Sequence, residues 1–120
     1  MVATAEIRTF NQADEVHTFD RARFEIVTIG GGPVLRYVFE PGWCWSTDHA
    51  ESEGTPLCPA PHTLYHVSGI LHVKMEDGTE FDAGPGAVSV LPPNHDAWVV
   101  GNEPVVAIDF ALVIDGAGSA

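Results

Sequence analysis

The sequence predicts an all-β domain, a barrel or sandwich of short antiparallel strands, and three observations carry that expectation. Runs of Val, Ile, Phe, Thr and Tyr recur along the chain, and clusters of Gly, Pro and Asp separate them. That alternation is the pattern of a β meander closing on itself. No segment sustains the apolar period of a helix.

The expected strands cover residues 22–29, 33–40, 62–68, 70–76, 79–81, 87–91, 97–100 and 105–114. The connections are Gly30-Gly31-Gly32, Glu40-Pro41-Gly42-Trp43, Asp77-Gly78, Gly84-Pro85-Gly86 and Pro92-Pro93-Asn94, which supply the positive or fixed φ that tight turns require. The three glycines are followed by neither a helix start nor a Lys, so they read as a turn and not as a phosphate loop. In the last run, Val106, Ile108, Phe110 and Leu112 alternate with Val105, Ala107, Asp109 and Ala111. Both faces are largely apolar, which places this strand in the middle of a sheet. In 70–76, Leu71, Val73 and Met75 alternate with His72, Lys74 and Glu76. His72 is therefore expected on the wetter face.

A chain of 120 residues, 45% of them hydrophobic and 18% charged, suits one globular core, expected at about residues 22–114 of a single domain spanning 1–120, with both ends mobile. The net charge of −12 repels a phosphate backbone and an anionic membrane surface. Neither nucleic acid nor membrane is expected as a partner. The same charge can attract a metal cation, although most acidic side chains only solvate a surface. No basic stretch followed by an apolar run opens the sequence, and no stretch approaches the roughly 20 apolar residues that span a bilayer, so a cytoplasmic location is expected. Cys44 and Cys58 are too few for a disulfide framework, and a reducing compartment keeps both as thiols.

Two stretches carry a resemblance. His62-Thr-Leu-Tyr-His66-Val-Ser-Gly69 and Gly86-Ala-Val-Ser-Val-Leu-Pro92-Pro-Asn94 resemble the end of the first and the start of the second of the paired cupin motifs, G-x5-H-x-H-x3,4-E-x6-G and G-x5-P-x-G-x2-H-x3-N. Around them, Pro41-Gly-Trp-Cys-Trp-Ser46, Ala60-Pro-His62, Asp77-Gly-Thr79, Ala83-Gly-Pro-Gly86 and the stretch from Pro92 to Gly101 are similar to small bacterial single-domain cupins. The resemblance implies a double-stranded β-helix, or jelly-roll barrel, whose interior often holds one metal ion. It also implies a homodimer, since an uncovered sheet edge is open to pairing.

The resemblance departs from the family pattern at the ligands. Pro56 stands where the first histidine of the pair falls, Cys58 where the second does, and His62 in the place of the glutamate. Asn94 replaces the turn glycine, Ala97 the last histidine, and His95 lies two residues before it, in the turn entering the barrel mouth. The resemblance implies a rearranged metal site of Cys58, His62 and His95. Thiolate and imidazole together favour zinc, iron or copper over magnesium or calcium. The alternative for Cys58 is a small buried hydrophobe, the usual state of a free cysteine.

His66 shares parity with His62 but lies roughly 13 Å along an extended strand, too far for the same ion, and is expected as a satisfied core histidine. His49 sits in a Gly/Pro-flanked loop able to fold over the mouth, although an exposed histidine is the ordinary outcome there. Trp43, Trp45 and Trp98 either pack in the core or line a pocket for a flat or apolar ligand. Asp48, Glu51 and Glu53 have no assigned role, and no catalytic residue is named. No nucleophile elbow and no dinucleotide fingerprint is present. Two classes of function remain: a metal-dependent enzyme (oxygenase, isomerase, lyase or cyclase) acting on a small organic molecule, or a non-catalytic ligand-binding or structural dimeric domain without metal.

Overall fold

The computed structural model describes residues 4–111. Among them nine strands form: β1 (Glu15–Phe19), β2 (Ala22–Ile29), β3 (Gly32–Phe39), β4 (His62–Ser68), β5 (Ile70–Met75), β6 (Glu80–Ala83), β7 (Val88–Leu91), β8 (His95–Val100) and β9 (Val105–Asp109). A short 3-10 turn covers Phe10–Gln12, and two single-turn helices, α1 (Trp45–Asp48) and α2 (Ala50–Glu53), lie between β3 and β4. All strand pairings are antiparallel, in a six-stranded sheet ordered β1-β2-β3-β9-β4-β7 and a three-stranded sheet ordered β6-β5-β8. The all-β expectation holds.

Alternation along the strands builds one core between the sheets. Leu64 of β4, Leu91 of β7 and Val105 of β9 meet Leu71 and Val73 of β5 and Ala97 and Val99 of β8. Each large apolar side chain buried this way contributes about 1.5–3 kcal/mol relative to exposure. Strand β9 is central, as its two apolar faces require, and lies between β3 and β4. Its inward face is Val105, Ala107 and Asp109, all buried, so the smaller residues and the carboxylate point into the barrel.

Two turns illustrate how the chain achieves this. Gly30 and Gly31 both have positive φ, and Ile29 pairs with Gly32 across them, which makes a two-residue hairpin of the kind matched to strand twist. Gly69, at φ +74°, carries the chain from β4 in one sheet to β5 in the other. A Cβ there would sit 2.3 Å from the carbonyl oxygen of Pro104, so only glycine fits the corner.

Several boundaries differ from the sequence expectation. Strand β1 precedes the expected start of the core, and all five of its residues are exposed. It buries little apolar surface and is held by backbone pairing with β2, which periodicity does not register. The segment before it is fastened by Arg8, which donates to the Thr28 carbonyl and to Asp14, while Asp14 accepts from the Thr28 amide. Strand β6 runs to Ala83 and not to residue 81. Strand β8 begins at His95 and not at Ala97, so His95 belongs to the strand and not to the turn. Strand β9 stops at Asp109 because Ala111 turns to φ +50°, its amide donating back to Asp109 Oδ1. The remainder of the strand expected over 105–114, residues 112–114, lies outside the described residues, as do the tail 115–120 and residues 1–3, whose mobility was expected. Among the described residues no helix is long and apolar enough to cross a membrane.

Candidate metal centre

The segment before β4 is tied to β8 by backbone. The Cys58 amide donates to the His95 carbonyl at 2.8 Å, and the Asn94 amide donates to the Cys58 carbonyl at 2.7 Å. Asn94 holds φ +74°, so it performs the left-handed turn that the second motif assigns to glycine, a conformation asparagine tolerates better than other side chains. The clamp sets Cys58 opposite His95 as an isolated antiparallel bridge. His62, the first residue of β4, shares its inward parity with Leu64 and His66.

The outcome is a cluster of three donors. One ligand atom each from Cys58, His62 and His95 lies within 4.8 Å of the other two. Cys58 Sγ is 3.7 Å from His62 Nε2, and the two imidazole rings meet edge to face with centroids 5.2 Å apart. His95 reaches the cluster despite its displacement by two residues, because a two-residue shift along a strand preserves the face. His95, Ala97 and Val99 all point inward.

Each ring has its Nδ1 engaged elsewhere. His95 Nδ1 is 2.8 Å from the Pro92 carbonyl, which can only accept, so Nδ1 carries the proton and Nε2 keeps a lone pair. His62 Nδ1 is 2.6 Å from Asp109 Oδ2, and the same oxygen accepts the Tyr37 hydroxyl at 2.7 Å. Asp109 is 2% exposed, and its other oxygen accepts the amides of Ala111 and Thr63. Burial raises this carboxyl's pKa, but His62, Tyr37 and the Ala111 amide outweigh burial and hold it below its ordinary value. Burial and the neighbouring carboxylate raise the Tyr37 phenol.

The thiol and imidazole polarise each other. Burial pushes the Cys58 thiol up, yet hydrogen bonds with His62 and His95 bring it down to about 6. Burial pushes the His62 imidazole down, yet Asp109 and Cys58 raise it to about 9. An anionic sulfur therefore lies in a buried site between two nitrogen donors, a charge state that a divalent cation would stabilise.

The cluster lies at the edge of a cavity of about 270 Å³ lined by Phe24, Tyr37, Phe39, Trp43, Trp45, Leu64 and Leu91, among others, with Glu53 as its one carboxylate among the described residues. Trp43 and Trp45 therefore belong to the pocket. Trp98 stacks instead on His72, with centroids 4.6 Å apart. His72 lies on the outer side, where Asp82 and Glu80 bind its two nitrogens at 2.6 and 2.7 Å.

His49 and His66 lie outside the donor cluster. His49 is buried, against the expectation of an exposed loop residue. Phe19 and Phe24 flank it, and its Nε2 accepts the Trp43 indole N–H at 2.9 Å, which occupies that lone pair. His66 is a core histidine, but only half satisfied: Nε2 bonds Ser89 Oγ at 2.9 Å while Nδ1 has no partner. Sequence reasoning did not single out Asp109 and Tyr37. A lone carboxylate in the apolar run from Val105 to Phe110 was the available signal for Asp109, because a charge in a central strand must be paired.

No protein-family model matches the chain, and no curated protein matches it. Solved structures do. A protein of unknown function from Vibrio parahaemolyticus is 14% identical, with a TM-score of 0.63 over 82% of this chain and 97% of the other. Ectoine synthase from P. lautus is 9% identical, with a TM-score of 0.62 over 88% of this chain and 77% of its own. A cupin-like protein from Thermotoga maritima is 22% identical, with a TM-score of 0.51 over 73% of this chain and 65% of the other. With two antiparallel sheets closed around one core and these neighbours, the chain has the cupin fold.

Proposed function

We propose that the protein is a small mononuclear metal-binding cupin that acts on a small organic molecule, with Cys58, His62 and His95 as the protein ligands. The observation that carries this reading is the orientation of the two rings: both have Nδ1 held by an acceptor, so both Nε2 atoms are left to the donor cluster, where an ion would displace the proton that His62 Nε2 shares with the Cys58 sulfur. Donors about 2.0–2.3 Å from a tetrahedral ion lie roughly 3.5 Å apart, and the 3.7 Å between Cys58 and His62 fits that spacing. Three protein donors are the usual count for a catalytic rather than a closed structural zinc site.

A bound ion supplies Lewis acidity, and iron or copper adds redox chemistry. Within the chain, Asp109 holds a His62 proton on Nδ1, and the aromatic wall makes the cavity lining mostly apolar. Elemental analysis of protein purified without added metal tests the reading: near-stoichiometric zinc, iron or copper is expected. Retained metal falls as the pH is lowered, because protons compete for the sulfur and both rings. Metal-free protein that takes up none of these ions on titration overturns the proposal.

A second reading rests on the order of Cys58, His62 and Asp109, which is that of a thiol–imidazole–carboxylate nucleophile, with 3.7 and 2.6 Å between successive groups. Chelator-treated protein that hydrolyses a p-nitrophenyl ester, with loss of that activity in Cys58→Ala, selects it over the metal reading.

We also propose that the chain pairs with a second copy through the outer face of β4, β7 and β9. There Tyr65 sits between Val88 and Ile108, and Val67, Val88 and Val90 are exposed, Val88 by 70%. Light scattering of a dimer that Val88→Glu and Val90→Glu convert to monomer is the expected result, and a wild-type monomer at high concentration removes this proposal.

A further inference from the structure

We infer that the cavity beside the donor cluster selects a neutral, largely aromatic molecule of about ten non-hydrogen atoms with a single coordinating heteroatom, and rejects carboxylates. The inference names the substrate class of the proposed metal site and rests on that reading only for the role of the heteroatom.

Size comes from the cavity. Its volume of about 270 Å³ equals that of roughly nine water molecules at about 30 Å³ each, room for one substituted ring. Shape comes from the walls, where Phe39 stacks on Trp43 at 3.8 Å between centroids and Phe24 meets Tyr37 edge to face at 5.1 Å. Flat aromatic faces of this kind favour a ring over a polar chain.

Charge is the deciding term. Among the described residues no Lys or Arg lines the cavity, Glu53 is its one carboxylate, and the His62 ring has both nitrogens engaged already, by Asp109 and by the Cys58 sulfur. A carboxylate entering would lose its hydration, at several kcal/mol, without a cationic side chain to replace it. Tyr37 adds no free donor, because its hydroxyl is committed to Asp109. Apart from the Glu53 carboxylate, which repels another carboxylate, the polar side chains left to a ligand are those of the cluster at one end, which suits a neutral molecule with one polar end.

Calorimetric titration at pH 7.5 with 4-ethylphenol, which is neutral, and 4-methylbenzoate, a similarly sized anion, tests this on metal-free and on zinc-loaded protein. Metal-free protein is expected to bind the phenol at least about tenfold more tightly than the benzoate. Equal or tighter benzoate binding, or no saturable phenol binding to either form, overturns the inference. Phenol selectivity in metal-free protein that takes up no zinc sustains the cavity inference while the metal reading fails, so the two failures are distinct. Leu35, a partly exposed lining residue, provides the check on charge. Leu35→Arg, with its strand signal intact by circular dichroism, is expected to raise benzoate affinity relative to phenol by about tenfold, and an unchanged ratio in the folded variant counts against charge as the selector. The wild-type titration stands whether or not that variant folds.

Discussion

Asp109 and His62, 47 residues apart in sequence, are joined by a 2.6 Å hydrogen bond between Oδ2 and Nδ1 on neighbouring inward faces of β9 and β4. A buried carboxylate in this position fixes which ring nitrogen is free, and it does so from a strand that contributes no donor to the cluster.

Asp109→Asn is expected to weaken metal retention by about 10- to 100-fold, the usual cost of losing a partner that orients a ligand histidine. Competition against a chromophoric chelator measures it. Tyr37→Phe leaves the His62 bond in place and is expected to weaken metal binding far less, while destabilising the fold by about 1 kcal/mol through the lost hydroxyl bond. Equal losses in the two variants would mean that Asp109 serves packing and not ring orientation.

His62→Ala is expected to abolish retained metal, whereas His49→Ala is expected to leave the metal content unchanged. His49 lies outside the donor cluster, and its Nε2 is occupied by the Trp43 indole. The His49 variant should instead lose about 1–3 kcal/mol of stability, because the buried Trp43 N–H is left without an acceptor. Elemental analysis beside urea unfolding separates the two effects.

Gly69→Ala is expected to destabilise the fold by more than about 2 kcal/mol, since a left-handed alanine alone costs about 1–2 kcal/mol and the new Cβ also meets the Pro104 carbonyl. Gly78→Ala, also at positive φ but with nothing within 4 Å of the added carbon, is expected to lose only the conformational part. Urea midpoints of the two variants give the comparison.

Burial lowers the His66 pKa below its ordinary 6.5, so His66 resists protonation in the folded chain. Its contribution to stability is complete above the unfolded value and declines as the pH falls below it, because the unfolded chain then takes up a proton that the folded chain does not. His62 and His72, whose pKa values are raised, act in the opposite sense: their contribution is complete below the unfolded value and is lost as the pH rises above it, and because the two windows meet near the unfolded value the total slope does not isolate His66. The stability of wild type relative to His66→Leu does isolate it. That difference is expected to shift against wild type between pH 7.5 and 5.5, and a constant difference would show that His66 titrates normally.

Local residue order was enough to name most of the strands and the donor types. Period-two runs separated by Gly, Pro and Asp clusters are local signals, so strands from β2 onward were legible to within a few residues, and the resemblance to the cupin motifs implied the trio of Cys58, His62 and His95. Edge strand β1 was not legible, because backbone pairing with β2 and the packing of Phe19 on Phe24 and His49 hold it while its five exposed side chains carry no burial pattern. His49 read as a loop residue because only the folded chain places Phe19, Phe24 and the Trp43 indole around it. The closing of the donor cluster was decided by tertiary structure: backbone bonds between Cys58 and His95 set two donors opposite each other, and β9 brought Asp109 behind the third. Periodicity tells which face a side chain takes, whereas meeting across 47 residues depends on which strands pair, and pairing is settled only when the whole core is buried at once.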